Sequence, residues 1–435
     1  MLVIIALFLC FVSLFALAFV PYQGIYVLLV SKPIIDASWS TFIFGPLRTP
    51  EMIGAGVPIV LFLRILVFND RRANSYPLFG IWLFYSFTLM FSVALVLSRG
   101  EFSDALDSFL RTISGFAGFI MFLTYVHNRE DFRKLLLAFL VAGLYPMIMG
   151  VIQAGAEDIW RYQTYTGGLV RNVGLYHDGV TFRQYAFATL TAILLLGAYF
   201  YQKRFIMKIL LLGYALACLL VLFRVYSKAG FIILAVWALV WTVLQKKFVL
   251  LGVIVALMFV VNAATGNQMF DSVRTTFLKE IGASEGTIDT KYILSGRMGV
   301  WEHYWDTWKQ SGLFVHLFGS GFSPPAHNDY LRVLVSGGIV GLFAYVLLLL
   351  VFGFSIGRLL LREINPLHVM ALMIYLMWLI DTIGLVPGMY PAYQWYVWGM
   401  IGLALRGVEG LSPARAEAPA MSQRLKKRWI SLPSV

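Results

Sequence analysis

His327 is the residue whose place in the sequence best suits it to chemistry. It stands in the run Ser323-Pro324-Pro325-Ala326-His327-Asn328-Asp329-Tyr330-Leu331-Arg332, where a stiff proline turn delivers the chain into a helix that Asn328 or Asp329 can cap. The positive end of that helix disfavours an imidazolium, so the ring is expected to stay neutral and able to accept a proton. The same helix end attracts an anion, so a base and a phosphate site would coincide there. A loop histidine is more often structural, and that reading stays open on these residues alone.

The anion has an expected partner. Ten arginines fall on what the charge pattern makes the outward side: Arg48, Arg99, Arg111, Arg161, Arg171, Arg183, Arg224, Arg274, Arg297 and Arg332. Arg183 begins an apolar segment, Arg224 and Lys228 flank a tight turn, and Arg332 lies just inside another segment, each at a helix end beside lipid. Cations held there against the topological bias imply an anionic partner at the membrane surface. The planar fork of arginine donates two parallel hydrogen bonds to a phosphate. For any single one, snorkelling to lipid headgroups explains the position equally well.

Metal chemistry is not expected. The outward histidines are His177, His303, His316 and His327, and no HxH, HExxH or Cys–His pattern joins them. His177 beside Asp178 is a candidate orienting pair, and His303 reads as a surface residue. Cys10 and Cys218 each sit in an apolar run and form no disulfide framework. No cofactor is expected.

The elements that must hold these residues are membrane helices. The chain has 435 residues, is 60% hydrophobic and 13% charged, and has a mean hydropathy of +0.79, which leaves too little polar surface for a soluble domain. Apolar segments run at about 1–19, 51–68, 77–97, 107–126, 135–152, 184–202, 206–223, 229–245, 248–264, 330–354, 366–385 and 392–407, each near the ~20 residues that cross a bilayer. The first is read as a retained helix rather than a secretory signal, because no basic residue precedes it.

Those segments predict an all-α polytopic membrane protein of about 12 transmembrane helices, with both termini cytoplasmic. Short basic turns at Arg71-Arg72, Arg129 with Arg133-Lys134, Lys203-Arg204 with Lys208, Lys246-Lys247 and Arg358 with Arg362 share one side. The tail Arg424-Leu425-Lys426-Lys427-Arg428 joins them, and the positive-inside rule makes that side cytoplasmic. This also accounts for the net charge of +12 without a nucleic-acid partner. The segment 20–50 contains only a short apolar piece, Tyr22 to Val30, read as re-entrant or interfacial.

The chain thus divides into helices over 1–264, with an outward loop at about 153–183, a long outward loop at 265–329, helices over 330–407, and a disordered basic tail at 408–435. In the long loop, Met298, Trp301, Trp305 and Trp308 recur at helical spacing opposite Glu302, Asp306 and Lys309. This amphipathic helix either lies at the membrane interface or packs on the other helices.

Several of these stretches resemble the signature of the O-antigen ligase and polymerase superfamily. The order is Ser295-Gly296-Arg297, Trp301, Phe318-Gly319-Ser320-Gly321-Phe322, His327-Asn328-Asp329-Tyr330-Leu331 and Gly337-Gly338-Ile339-Val340-Gly341. Arg171-Asn172-Val173-Gly174 resembles the family's arginine–glycine loop, and Arg224-Val225-Tyr226-Ser227-Lys228-Ala229-Gly230 its Ser/Thr-Arg turn. Two departures stand out: Lys228 replaces the usual arginine, and Ser336 lies where a glutamate is usual.

The resemblance implies a metal-independent, inverting glycosyltransferase at the periplasmic face of a bacterial inner membrane. It would take a glycan from undecaprenyl diphosphate and pass it to a sugar hydroxyl of lipid A-core, for lipopolysaccharide biosynthesis. Carried over, it makes His327 the base and Arg171, Arg224 or Lys228, and Arg297 the diphosphate ligands, with Arg183, Asn328, Asp329 and Arg332 in support. The same machinery would serve an O-antigen or exopolysaccharide polymerase using a second carrier-linked glycan as acceptor. A transporter of lipid-linked glycans or solutes is the alternative from another class, although its charges would be expected near the bilayer midplane.

Overall fold

The computed structural model describes residues 2–40, 42–44, 47–67, 76–100, 102–156, 159–164, 168–264, 266–321 and 324–411. The Arg71-Arg72 turn, Phe322, Ser323 and the basic tail beyond Leu411 lie outside the described residues.

Helices make up the described chain almost entirely. The first ten are α1 (Leu2–Phe19), α2 (Pro21–Asp36), α3 (Thr49–Val67), α4 (Phe79–Leu97), α5 (Phe102–Tyr125), α6 (Arg129–Gly155), α7 (Gly179–Tyr199), α8 (Phe205–Arg224), α9 (Lys228–Leu244) and α10 (Phe248–Ala264). The long loop of the sequence reading folds into α11 (Gln268–Thr276), α12 (Leu278–Ser284), α13 (Ile293–Lys309) and α14 (Leu313–Phe318). Then come α15 (Asp329–Arg362), α16 (Pro366–Gly384) and α17 (Pro391–Arg406). Two small antiparallel hairpins pair β1 (Phe42–Phe44) with β2 (Leu47–Arg48), and β3 (Tyr162–Thr164) with β4 (Val170–Asn172).

Among the described residues, eight helices are long and apolar enough to cross a membrane: α1, α3, α4, α6, α7, α8, α15 and α16. The chain is therefore an all-α protein built to lie in a membrane. Helix starts follow from side chains that take the orphan amides. Asn128 accepts from the amides of Glu130 and Asp131 while Asp131 reaches back, a full capping box. Asp178, Ser227, Asn328 and Asn365 each accept from one first-turn amide of α7, α9, α15 and α16.

Within the segment 20–50, the piece Tyr22 to Val30 belongs to α2, a helix of 16 residues that doubles back on α1. The Arg64 guanidinium, in the last turn of α3, donates to the Ala18 carbonyl, and Tyr26 donates to the Asp131 carbonyl at 3.3 Å. Tyr22 packs edge-on against Tyr125 at 5.5 Å. The α1–α2 turn thus lies at the end of the bundle that carries the basic turns. Its other end shows Asp36 against Tyr185 of α7 and Cys10 of α1 against the Thr49 carbonyl at the start of α3.

Consequently the start of α1 and the end of α17 lie at opposite ends, since the Glu409 amide donates to the His127 carbonyl at 3.1 Å. The sequence reading missed α2 as a full helix of the bundle. The physical cause is Lys32, Pro33 and Asp36, which depress the apolar signal of α2 although the two charges neutralise each other inside the protein.

Two further features position the site. First, α7 is the interior helix, with 89% of its apolar window buried by other parts of the chain. Second, α15 breaks at Gly338, whose φ of 64° and ψ of −164° interrupt the helical ladder. The carbonyls of Val335 and Ser336 freed by that break accept from the amides of Ser320 and Gly321, each at 2.9 Å. Gly319 and Gly338 face the opposing backbone so closely that a Cβ on either would clash. The Phe318–Gly321 stretch and the Gly337-Gly338 pair are therefore one structural joint, and it anchors the chain just before His327.

Candidate functional site

A cavity of about 400 Å³ opens at the end of the bundle opposite the basic turns. Its walls come from the end of α2, the start of α3, the start of α7, the turn before α15 and the segment 385–392. His327 lies on one wall, while Lys32, Asp36, Trp39, Arg48, Glu51 and His177 lie on others.

His327 is held from several directions. The indole of Trp301 on α13 donates to the Ala326 carbonyl at 2.8 Å. Asn328 caps α15 with its oxygen, 2.9 Å from the Leu331 amide, and its amide nitrogen donates to the Ile383 carbonyl at 3.2 Å. His327 itself adopts a φ of 50°, in the left-handed region that a side chain enters only when its surroundings require it. The imidazole is open to the cavity, yet its pKa lies below the ordinary value. Partial desolvation is the main cause and Arg297 the next, while Asp178 pulls the other way. The neutral ring expected from the helix dipole thus has two further causes in its surroundings.

Asp178 is the hub on the facing side. It caps α7 through the Thr181 amide at 2.9 Å, accepts from the Tyr390 hydroxyl at 2.9 Å, and lies 3.6 Å from the His177 ring. Burial works to raise its pKa, but the hydrogen bonds from His177, Thr181 and Tyr390 hold it at about 2. The carboxylate in turn pushes the Tyr390 hydroxyl well above its usual range, on top of burial.

The cations singled out by sequence separate into two kinds. Arg297 donates to the Gly384 carbonyl and acts electrostatically on His327 and Tyr390. Arg171 packs its guanidinium on Gly179, where a Cβ would stand 2.7 Å from its Nε. These two, with His327 and Asp178, gather round the start of α7.

By contrast, Arg183 and Arg332 do not stand beside lipid, where the sequence reading put them; they are 3% and 1% exposed. Arg183 donates to Asp381 at 2.5 Å and Ser227 at 2.7 Å, and Arg332 donates to Asp329 at 2.7 Å. Lys228 pairs with Glu280 at 2.6 Å, and Arg224 contacts the Tyr226 hydroxyl at 3.4 Å. The 224–228 turn connects to the start of α7 through Ser227 and Arg183. The reason these arginines turn inward is that α7 is interior and that α15 presents its first turn to α4 and α16.

Sequence reasoning passed over Lys32, Asp36, Trp39, Tyr390 and Asp381. Asp381 was visible as a lone acid in the apolar run 366–385, and Lys32 and Asp36 as opposite charges at i and i+4. Trp39 and Tyr390 carry no such signal.

No protein-family model matches the chain, and no curated protein matches it. Fold and site define a class on their own: a helical, membrane-embedded protein with a polar, histidine-bearing cavity at one end.

Proposed function

We propose that the chain is an integral-membrane glycosyltransferase of the O-antigen ligase type. It would move a glycan from undecaprenyl diphosphate to a sugar hydroxyl of lipid A-core, without metal and with inversion. The observation that carries this reading is His327 on the wall of the cavity, kept neutral by desolvation and Arg297, at the end of a membrane bundle. With the basic turns facing the cytoplasm, the cavity opens to the periplasm.

In the proposed step, the acceptor hydroxyl oxygen attacks the anomeric carbon from the side opposite the diphosphate. Its proton passes to the neutral ring of His327. The bond between that carbon and the diphosphate oxygen breaks, and its electron pair leaves on the diphosphate. Arg297 and Arg171 stabilise the growing charge, aided by Arg224 at the end of α8. Arg183, Lys228 and Arg332 have protein carboxylates as partners, so their role is to hold α7, α9 and α15 in place. Asn328 and Asp329 fix the turn that carries His327.

Purified protein in lipid, supplied with a carrier-linked glycan, tests the proposal. Transfer to lipid A-core, giving an inverted glycosidic bond and free undecaprenyl diphosphate, is the expected result. Transfer only to a second carrier-linked glycan would make the protein a polymerase, and uptake of the glycan into sealed vesicles with no new bond would make it a transporter.

A further inference from the structure

Gln184, in the second turn of α7, is a polar side chain of the cavity wall that this transfer step leaves unused. It is only 5% exposed, and its Oε1 is buried with no hydrogen-bond partner among the described residues. It lines the cavity that holds His327 and also a smaller one of about 20 Å³, with Lys32 and Ala392 common to both walls.

The spacing along α7 accounts for its direction. His177, Thr181 and Gln184 follow one another by four and three residues, which stacks them on one face, and all three line the cavity. The first two have partners within the fold. The His177 ring lies 3.6 Å from Asp178, and the Thr181 hydroxyl donates to the same carboxylate at 3.1 Å. On α2, Lys32 donates to Asp36, which also accepts from the Tyr185 hydroxyl at 2.6 Å. The Gln184 oxygen stands between these satisfied groups without a donor of its own.

A buried polar atom without a partner is unfavourable, and folded proteins keep few of them. Where one faces a cavity, a water or a ligand group completes the bond, and a ligand displaces the water without loss only by reproducing its hydrogen bonds. The last torsion of a glutamine is broad and roughly two-fold, so the amide turns easily and presents oxygen or nitrogen to the cavity. Its acceptor and donor stand side by side and match two adjacent hydroxyls, one donating to the oxygen and the other accepting from the nitrogen. The charges on the cavity wall balance: Lys32 and Arg48 are opposed by Asp36 and Glu51. Arg171 and Arg297 are not on that wall. The cavity is therefore suited to a neutral, hydroxyl-rich ligand, and its volume of about 400 Å³ is that of a small-molecule site.

We propose that Gln184 selects the acceptor by holding two adjacent hydroxyls of a neutral pyranose inside the His327 cavity. The proposal rests on the glycan-transfer reading, within which Arg171 and Arg297 hold the donor diphosphate beside the cavity. The sugar held by Gln184 then presents a further hydroxyl to His327. Gln184 thus fixes which ring enters and how it is turned, and it takes no part in proton transfer.

Saturation-transfer NMR on the full chain in nanodiscs of neutral lipid tests this without any transfer reaction, with the methyl glycosides of glucose, galactose and mannose as probes. At least one is expected to bind, and Gln184→Met, which keeps the length of the side chain, should weaken that binding about tenfold. One monodeoxy form of the same glycoside, lacking a hydroxyl that Gln184 holds, should bind the wild-type and Gln184→Met proteins equally. The melting point of Gln184→Met should stay at or above that of the wild type, because an unpartnered polar group gives way to an apolar one. Binding of none of the three glycosides, or equal binding of them by both proteins, overturns the subsite. A lower melting point with unchanged sugar binding would make Gln184 a structural residue served by a buried water, which also overturns it. Tighter binding of methyl glucuronide than of every neutral glycoside would refute the neutral ligand. A protein that binds sugar through Gln184 but forms no glycosidic bond would instead refute the transferase reading.

Discussion

The interior beneath the cavity and the rim above it use the same residue types in opposite ways. Inside, each buried cation meets a carboxylate whose second oxygen takes a tyrosine hydroxyl. Lys32 and Tyr185 share Asp36, Arg183 and Tyr393 share Asp381, and Arg332 and Tyr345 share Asp329. At the rim, Arg48, Arg161 and His177 gather on Trp39, and Arg297 acts on His327. A charge completed within the fold is quiet toward a ligand, because its field is spent on its partner in a low-dielectric setting. A charge gathered at a cavity wall projects into the opening. Residue type alone does not separate these cases; burial does, since Arg183 and Arg332 are 3% and 1% exposed whereas Arg161 and His177 are exposed.

The sharpest way to break that contrast is to remove a partner inside. Asp381→Ala leaves the Arg183 guanidinium buried without its carboxylate and is expected to cost about 3–5 kcal/mol of stability. Arg161→Ala at the rim should change stability by less than about 0.5 kcal/mol. Thermal unfolding in the same lipid reads both, and equal melting points would erase the distinction. His327→Ala should invert the pattern, lowering glycan transfer by roughly 10²–10⁴-fold while leaving the melting point near wild type. Transfer at the wild-type rate from correctly inserted protein would remove His327 from the chemistry.

Much of the frame was legible because membrane helices announce themselves by length and hydropathy. Each of the twelve apolar segments corresponds to a helix, and the Trp-bearing stripe over 298–308 lies on α13. On that helix Trp301 turns inward to the His327 turn, while Trp305 is 44% exposed. What stayed hidden depends on pairing across long separations. Lys32 and Asp36 masked α2 as a helix, and the bond from Arg183 to Asp381 joins residues 198 positions apart. The Gly319 and Gly338 joint was visible only as two glycine-rich stretches with no stated connection. Its logic is backbone against backbone, which side-chain patterns do not record.

A smaller effect sharpens the rim itself. Trp301→Phe keeps the aromatic bulk on α13 but loses the indole donor to the Ala326 carbonyl, a bond worth about 1 kcal/mol. If that bond fixes the turn of His327, the rate of transfer should fall about fivefold with little change in donor KM. A changed KM with an unchanged kcat would mean that Trp301 serves donor binding rather than the placement of His327.

The smallest effect is a displacement of the pH profile, and its sign follows from the neighbours of His327. A proton acceptor must be neutral, so activity rises with pH through the folded-state pKa of the ring. Desolvation first and Arg297 second place that pKa below the ordinary imidazole value of about 6.5. The acid limb of kcat/KM should therefore fall at a lower pH than a free imidazole would give. Arg297→Gln removes one of the two lowering influences and should move the limb upward. Asp178→Asn keeps the cap of α7 but removes the opposing charge, and should move the limb downward. Asp178 stays ionised throughout this range, since its own pKa is held at about 2. The same lowered pKa predicts that stability declines as pH falls through the window below the unfolded value, where the unfolded ring binds more protons than the folded one. A limb that moves the same way in both variants would assign the titration to some other group.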